Sequence, residues 1–158
     1  MIIAASSADF AELIAGRAPA PWRLVPDSEI GPTEVLQMLA DLADSIRPAF
    51  DPAAWLIVEG EEVVGLLSLV RPYADGEICI GYGVAPTRRN RGATGDAVAG
   101  ILEWARGDNR VERVIAETSP ANIPSQRVLE RNGFVTVGSR VDAEDGDLLI
   151  WQALTKSH

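Results

Sequence analysis

The chain has one cysteine and one histidine among its 158 residues, Cys79 and His158. A single cysteine excludes an internal disulfide framework, and a single histidine argues against a histidine-based metal centre. No apolar run reaches the ~18 residues that a membrane span requires. The first nine residues contain no basic side chain and already include Asp9, unlike a secretory signal peptide. We therefore expect a cytoplasmic protein with no metal site and no membrane partner.

Basic residues are also scarce, because 14 Lys and Arg face 23 Asp and Glu and give a formal net charge of −9. A chain this acidic is not expected to bind nucleic acid. Three arginines within four positions, Arg88, Arg89 and Arg91, stand out against that background. The apolar fraction of 47% and the charged fraction of 23% are those of a globular protein, and the length suits a single domain over residues 1–158.

Hydrophobic periodicity predicts the element order β-α-β-β-β-α-β-α-β-β, a mixed sheet in an α/β or α+β fold. A short additional helix through Ile14 would be capped by Ser7 or Asp9. The predicted helices cover residues 33–46, 94–106 and 122–132. The predicted strands cover residues 22–26, 53–58, 63–70, 77–84, 111–117, 134–137 and 148–153, and residues 141–147 form the polar tip of the last hairpin.

Residues 84–95 connect a strand to a helix through a basic turn marked by Pro86. Backbone N–H groups at a helix start have no intrahelical partner, and the helix dipole makes that end positive. Arg89 and Arg91 could add two cationic contacts, so the segment predicts a site for a diphosphate. It has neither the Gly-Lys-Ser/Thr ending of a nucleotide-triphosphate loop nor a GxGxxG fingerprint. A solvated basic turn at the start of a helix is the alternative.

The pattern Arg89-Asn-Arg-Gly92-Ala-Thr94 resembles the Arg/Gln-x-x-Gly-x-Gly/Ala motif with which GNAT superfamily N-acetyltransferases bind the pyrophosphate of acetyl-CoA. Residues 77–86 resemble the strand that enters this motif. Residues 122–134 resemble the family's Asn-x-x-Ser-x-x-(Val/Leu)-x-Glu-(Lys/Arg)-x-Gly-Phe segment. The likeness is greatest to the branch that includes the ribosomal-protein N-terminal acetyltransferases, and its motif-bearing core spans about 77–138.

The resemblance implies a mostly antiparallel sheet with splayed central strands, acetyl-CoA as co-substrate, and a primary amine as acceptor, either a small molecule or a peptide N-terminus. Thr94 departs from the motif, which has Gly or Ala at that position. The residues that the resemblance places around acetyl-CoA are Tyr82, Gly83, Val84, Arg89, Asn90, Arg91, Gly92, Ala93, Thr94, Gly95, Asn122 and Ser125.

Acetyl transfer to an amine needs a base for the amine proton and donors for the thioester oxygen. The resemblance suggests Glu77 as the base, and a strand-end carboxylate in water is the alternative. Leu129 stands where many family members have the tyrosine that protonates the thiolate. The resemblance to the ribosomal branch, whose members use a serine at this place, suggests Ser125 as the acid, and a helix-capping hydroxyl is the alternative.

The acceptor should bind between the first helix region and the last hairpin, whose acids could attract a cationic amine. The acids in question are Asp27, Glu29, Asp142, Glu144, Asp145 and Asp147. A solvated acidic surface that keeps the protein soluble is the alternative for these residues. A GNAT-fold protein that binds CoA or another anion without acetyl transfer is the alternative function, and a plain structural module is a third. A homodimer is left open, with residues 148–153 as a strand that could pair between subunits.

Overall fold

The computed structural model describes residues 1–156. Its elements, in chain order, are β1 (Ile2–Ala4), α1 (Ser7–Ile14), β2 (Arg23–Leu24), α2 (Thr33–Ile46), β3 (Ala54–Glu59), β4 (Glu62–Leu69), β5 (Glu77–Val84), α3 (Ala93–Arg106), β6 (Arg113–Thr118), α4 (Ile123–Arg131), β7 (Val135–Asp142) and β8 (Gly146–Leu154). A single 3-10 turn, Pro86–Arg88, lies between β5 and α3.

All the strands belong to one sheet with the order β1-β3-β4-β5-β6-β8-β7, and β2 pairs with β4 away from this path. The β5–β6 and β2–β4 pairs are parallel, and the other pairs are antiparallel. This confirms the mixed, mostly antiparallel sheet that the resemblance implied.

β5 and β6 diverge partway along their length. Their register runs from Glu77 opposite Arg113 to Ile80 opposite Ala116 and then stops. Beyond that point β5 continues against β4 as far as Val84, and β6 continues against β8 as far as Thr118. The sheet therefore opens between the last residues of the two strands, which confirms the splayed centre.

The core lies around β3 and β4, where nearly every residue is buried. α2 packs on β4, while α3 packs on β1, β3 and β5. Because both faces of these strands are covered, their sequences read as continuous apolar runs without alternation. β7 forms the opposite edge of the sheet and is exposed along nearly its whole length. Among residues 1–156, none of the helices combines the length and the apolar character that crossing a bilayer requires.

Several predicted boundaries agree with the structure and others do not. Helix α2 and strand β5 have the predicted bounds. The N-terminal strand β1 was missed, and the cap of α1 was wrong: Ser6 is the N-cap, and Asp9 completes a capping box with it. The first predicted strand shrinks to Arg23–Leu24.

The last hairpin is longer than predicted, because β7 and β8 leave only residues 143–145 as its tip. The polar residues that suggested a long tip lie on solvent-exposed strands, where polarity is compatible with pairing. β8 lies between β6 and β7, so both of its backbone edges are occupied. The suggestion that this strand pairs between two subunits was therefore wrong.

Candidate active site

A cavity of about 860 Å³ lies at the open end of the sheet, between the end of β5, the loop after it and helix α4. This volume lies within the range of small-molecule sites in proteins. The end of β5 contributes Tyr82, Gly83 and Val84, three of the predicted residues. The loop side contributes six more of them: Arg89, Asn90, Gly92, Ala93, Thr94 and Gly95.

The loop reaches the start of α3 through two left-handed backbone positions, Asn90 at φ 63° and Gly92 at φ 83°. Glycine adopts this conformation without steric cost, which explains why Gly92 precedes the helix. No side chain caps this end of α3, and its first turn is closed by the bond from Asp96 N to Gly92 O (3.0 Å). The N–H groups of Ala93, Thr94 and Gly95 consequently have no intrahelical partner.

The three arginines of the loop have different roles. Arg88 is nearly buried, with 11% of its side chain exposed, and pairs with Asp27 (3.1 Å) and Glu62 (3.1 Å). It therefore anchors the loop to the body of the protein, and its charge is neutralised by these two carboxylates. Within the described chain, Arg89 and Arg91 have no carboxylate within 4 Å, and Arg89 lines the cavity. Arg91 lies on the same loop outside the cavity lining.

Helix α4 forms the facing wall. Asn122 is its N-cap and accepts a hydrogen bond from the Ser125 N–H (3.2 Å). The Ser125 hydroxyl lies 3.1 Å from the Tyr82 hydroxyl, which joins α4 to β5 across the cavity. Burial raises the pKa of Tyr82, so its hydroxyl stays protonated at neutral pH. Leu129, by contrast, is fully buried in the core.

The backbone of β5 presents donors to the opening. Cys79 O accepts from Val70 N, and Ala85 N donates to Val64 O, so these residues direct their backbone polar groups toward β4. Alternation along an antiparallel strand directs the N–H groups of Tyr82 and Val84 the other way, toward the space that β6 has left. The N–H groups of Tyr82 and Val84 therefore face the opening between β5 and β6.

Two glutamates, Glu77 on β5 and Glu117 on β6, lie on the face of the sheet opposite the cavity. Glu77 pairs with Arg113 (3.0 Å) and lies outside the cavity, about 13 Å along the strand from Gly81. Glu117 immediately follows the last β6 residue paired with β5, so it lies at the divergence. Glu117 was not predicted as a site residue from the sequence, although it stands at the end of a predicted strand that borders the opening.

Glu117 is held by two arginines. Its carboxylate accepts from Arg140 Nε (2.6 Å) and from Arg71 Nη2 (2.5 Å), and only 12% of the side chain is exposed. The hydrogen bond from Arg140, together with Arg71, holds the pKa of Glu117 below its usual value. Nearby Cys79 is buried, and burial raises the pKa of its thiol to about 11.

The acids proposed to attract an amine are partly engaged elsewhere. Asp27 accepts from Thr87 (3.0 Å) and pairs with Arg88. Asp142 accepts from the N–H groups of Glu144 and Asp145 within the hairpin tip. Within residues 1–156 no cluster of His, Cys, Asp and Glu could hold a metal ion. His158 lies outside the described residues.

Five cavity residues on α4 or at its C-cap were not predicted: Pro124, Arg127, Val128, Arg131 and Asn132. The sequence does contain a pattern that could have indicated two of them: Arg127 and Arg131 are four positions apart on one helix, so they share a face. Asn132 donates to Gly95 O (3.5 Å) and so connects the end of α4 to the start of α3.

The diverging strands and the loop at the start of α3 define the fold of an acyltransferase of the type that the sequence resemblance implied. The sequence profile described as "Acetyltransferase (GNAT) domain" matches residues 1–135. This match covers well over half of the chain, which therefore belongs to the GNAT acetyltransferase family.

Individual relatives agree with this placement. The chain is 31% identical over 85 residues to YjdG of Bacillus subtilis (strain 168), described as an uncharacterized N-acetyltransferase, covering 52% of this chain and 51% of YjdG. The chain thus spans about half the length of the curated relatives that it matches.

Two solved structures show the same fold. Mycobacterium smegmatis RimJ in complex with CoA-disulfide has a TM-score of 0.68 at 23% identity, covering 97% of this chain and 80% of RimJ. A spermidine N-acetyltransferase SpeG chimera from Vibrio cholerae and hSSAT has a TM-score of 0.69 at 16% identity, covering 98% and 95%.

Proposed function

We propose that this protein transfers an acetyl group from acetyl-CoA to a primary amine by direct attack. The observation that carries the proposal is the position of the cavity. The N–H groups at the start of α3 lie beside the opening between β5 and β6, as does Arg89, which has no carboxylate partner among residues 1–156. A loop that can bind an anion and an opening for the pantetheine arm are the two features that a bound acetyl-CoA requires.

The cavity fits the donor chemically. The N–H groups of Ala93, Thr94 and Gly95 would bind the diphosphate, and Arg89 with Arg91 would supply charge-assisted contacts. The pantetheine arm would then extend between β5 and β6, past Asn122. There the N–H groups of Tyr82 and Val84 would stabilise negative charge that develops on the thioester oxygen.

The proposed reaction uses both faces of the sheet. The amine nitrogen attacks the thioester carbon from the face that carries Glu77 and Glu117, and a C–N bond forms as the C–S bond breaks. The amine proton passes to a base on that face. The thiolate leaves toward the cavity and takes a proton from Ser125, whose hydroxyl contacts Tyr82. The half-buried Tyr82 hydroxyl can in turn return a proton to Ser125.

The base is proposed to be Glu77 acting through water, because it is too far from the opening to act directly. Glu117 is nearer, but its two arginines stabilise the carboxylate and make it a weaker proton acceptor. Replacing each with Gln separates the two: loss of kcat in Glu77→Gln with retention in Glu117→Gln supports the assignment, and the reverse pattern overturns it.

The acceptor class stays open between small amines and protein N-termini. The solved structures with this fold include RimL, described as a ribosomal L7/L12 alpha-N-protein acetyltransferase, and the SpeG chimera, described as a spermidine N-acetyltransferase. Their names give different acceptors, so the fold does not choose between the two classes. Cytoplasmic location, a single domain over residues 1–158 and a homodimer stay predictions as well.

The test measures turnover of acetyl-CoA with a panel of polyamines, amino acids and peptides that have free N-termini. The release of the CoA thiol is the measured signal. We expect one class to raise thiol release well above hydrolysis, and Ser125→Ala to reduce that rate. CoA binding without turnover on any amine would favour the alternative, a GNAT-fold protein that binds CoA without acetyl transfer.

A further inference from the structure

We infer that the amine acceptor carries a carboxylate close to its amine, and that Arg71 binds this carboxylate on the face of the sheet opposite the cavity. The inference rests on the proposed function, because it concerns the acceptor of that reaction. It favours amino acids, or peptides with an acidic first side chain, over polyamines. It also makes Arg71 the residue that determines acceptor specificity.

The first argument is the space beside the opening on this face. Along β5, the positions of Cys79, Gly81 and Gly83 alternate onto it. A Cβ at Gly83 would meet no heavy atom of residues 1–156 within 4 Å, so the surface is uncovered there. Glu117 follows Ala116, the last β6 residue paired with β5, so its backbone lies little more than one strand spacing, about 4.8 Å, from Gly81. Glu117 and the groups that it binds therefore border the position from which an amine would attack.

The second argument is the number of donors that the two arginines at Glu117 have in use. All three guanidinium nitrogens of Arg140 are engaged: Nε (2.6 Å) and Nη2 (2.9 Å) donate to Glu117, and Nη1 donates to Asp142 (3.3 Å). Arg71 donates to Glu117 through Nη2 alone (2.5 Å), and its Nε and Nη1 have no acceptor among residues 1–156. Arg71 can therefore bind a second carboxylate while it keeps the first.

The third argument is the direction in which the cluster of Arg71, Glu117 and Arg140, here called the Glu117 cluster, presents its charges. The exposed fraction of the side chain is 41% for Arg71 and only 12% for Glu117. The carboxylate thus lies beneath the guanidinium groups, and the surface that an acceptor meets is cationic. A planar guanidinium with free donors is well suited to a carboxylate, because its bonds to that group are charge-assisted.

The fourth argument is that a polycation finds no free partner on these strands. A polyamine has further ammonium groups, and each would need a carboxylate that is not already neutralised. The carboxylates that β5, β6 and β7 place on this face are all paired with arginines in the described chain: Glu77 with Arg113 (3.0 Å), Glu117 with Arg71 and Arg140, and Asp142 with Arg140 (3.3 Å).

Steady-state acetylation of matched acceptors tests the inference. The panel pairs glycine, β-alanine and 4-aminobutyrate with their carboxamides, and a peptide amide that begins with aspartate with one that begins with asparagine. Rates are compared per unprotonated amine, since the carboxylate also changes the pKa of the amine. We expect the kcat/KM of the parent to be about 30-fold higher for the carboxylate member of at least one pair, through a lower KM, because its charge-assisted bonds to Arg71 are absent for the uncharged member.

Two variants of the same cluster separate acceptor binding from a structural role. Arg71→Gln should reduce the carboxylate preference to below about threefold and leave the KM for acetyl-CoA unchanged. Arg140→Gln is the matched control, because it removes the other arginine from Glu117 and should keep most of the preference. Arg71→Lys keeps the charge without the planar donor arrangement and should retain part of the preference. The ratio between two acceptors does not depend on the fraction of each variant that is folded.

The outcomes separate this inference from the proposed function. If the parent acetylates the carboxamides or spermidine as efficiently as the carboxylates, the inference is wrong and the proposed function stands. Loss of the preference in Arg140→Gln as complete as in Arg71→Gln would also overturn the inference, since both arginines brace Glu117. A preference confined to the amino acid pairs or to the peptide pair supports it and identifies the source of the carboxylate. No turnover of any amine would overturn the proposed function and the inference with it.

Discussion

The two faces of the sheet use arginine in opposite ways where β5 and β6 diverge. On the cavity face, Arg89, Arg127 and Arg131 have no carboxylate partner within 4 Å in the described chain. On the other face, Arg71 and Arg140 both bind Glu117. The difference separates cations available to a ligand from cations that fix the positions of strands.

The second arrangement also has a structural consequence. Glu117 on β6 joins Arg140 on β7 to Arg71 after β4, so one carboxylate connects three parts of the sheet around the opening. We therefore expect changes on the cavity face to alter binding and catalysis. Changes to the Glu117 cluster should alter stability first.

The largest expected effect is on the cavity face. Ser125→Ala should reduce kcat by about 10³-fold with little change in acetyl-CoA affinity, because general acid catalysis contributes factors of this size. Tyr82→Phe should have a smaller effect in the same direction, since it acts through Ser125. Steady-state kinetics measures both, and Ser139→Ala on exposed β7 is the control. An unchanged kcat in Ser125→Ala would exclude Ser125 as the acid.

On the other face, Cys79 reports whether the surface beside the Glu117 cluster is closed. Burial raises its pKa to about 11, so the reactive thiolate is about 100-fold less populated at neutral pH than in an ordinary thiol. We expect alkylation of the folded protein to be slower by at least that factor than alkylation in denaturant. Equal rates in the two states would show that this face is open.

Removing the Glu117 charge should destabilise the fold. Glu117→Gln leaves two arginines without their shared partner, and we expect a loss of about 2 kcal/mol, between the values for exposed and buried ion pairs. Urea unfolding measures it, with Glu61→Gln in the exposed pair with Arg23 as the control. A loss no greater than that of the control would show that the cluster does not brace the sheet.

The same cluster predicts a smaller, pH-dependent effect. The pKa of Glu117 is lower in the folded protein than in the unfolded chain, so its stabilisation is present above about pH 4.5. It is lost as the pH falls through the folded pKa, because the unfolded state takes up the proton first. The difference in unfolding free energy between the parent and Glu117→Gln should therefore shrink from pH 7 to pH 3. A constant difference would contradict the assigned charge.

The loop on the cavity face could be predicted from the sequence, whereas the Glu117 cluster on the other face could not. Helix α2 and strand β5 were predicted with correct bounds because their apolar spacing is regular. The loop was recognised because its residues are contiguous and its motif is short. Glu117, Arg71 and Arg140 come from distant segments, and no local pattern joins them before the chain folds.

The last hairpin shows a different limit. β7 and the first residues of β8 are solvent exposed, so polar residues occupy positions that would otherwise carry an alternating apolar pattern. The α4 arginines were overlooked for a third reason: a charged residue on a helix usually faces water, and only the cavity distinguishes Arg127 from that case.

Titration of acetyl-CoA into the parent protein, into Arg89→Ala/Arg91→Ala and into Arg106→Ala tests the central claim most directly. Arg106 is also unpaired within the described residues but lies in the last turn of α3, away from the cavity. We expect the loop variant to bind about 100-fold more weakly and the Arg106 variant to match the parent. At ~100 times its dissociation constant, the ligand should also stabilise the parent by ~2.7 kcal/mol. No binding heat and no stabilisation of the parent would contradict the account.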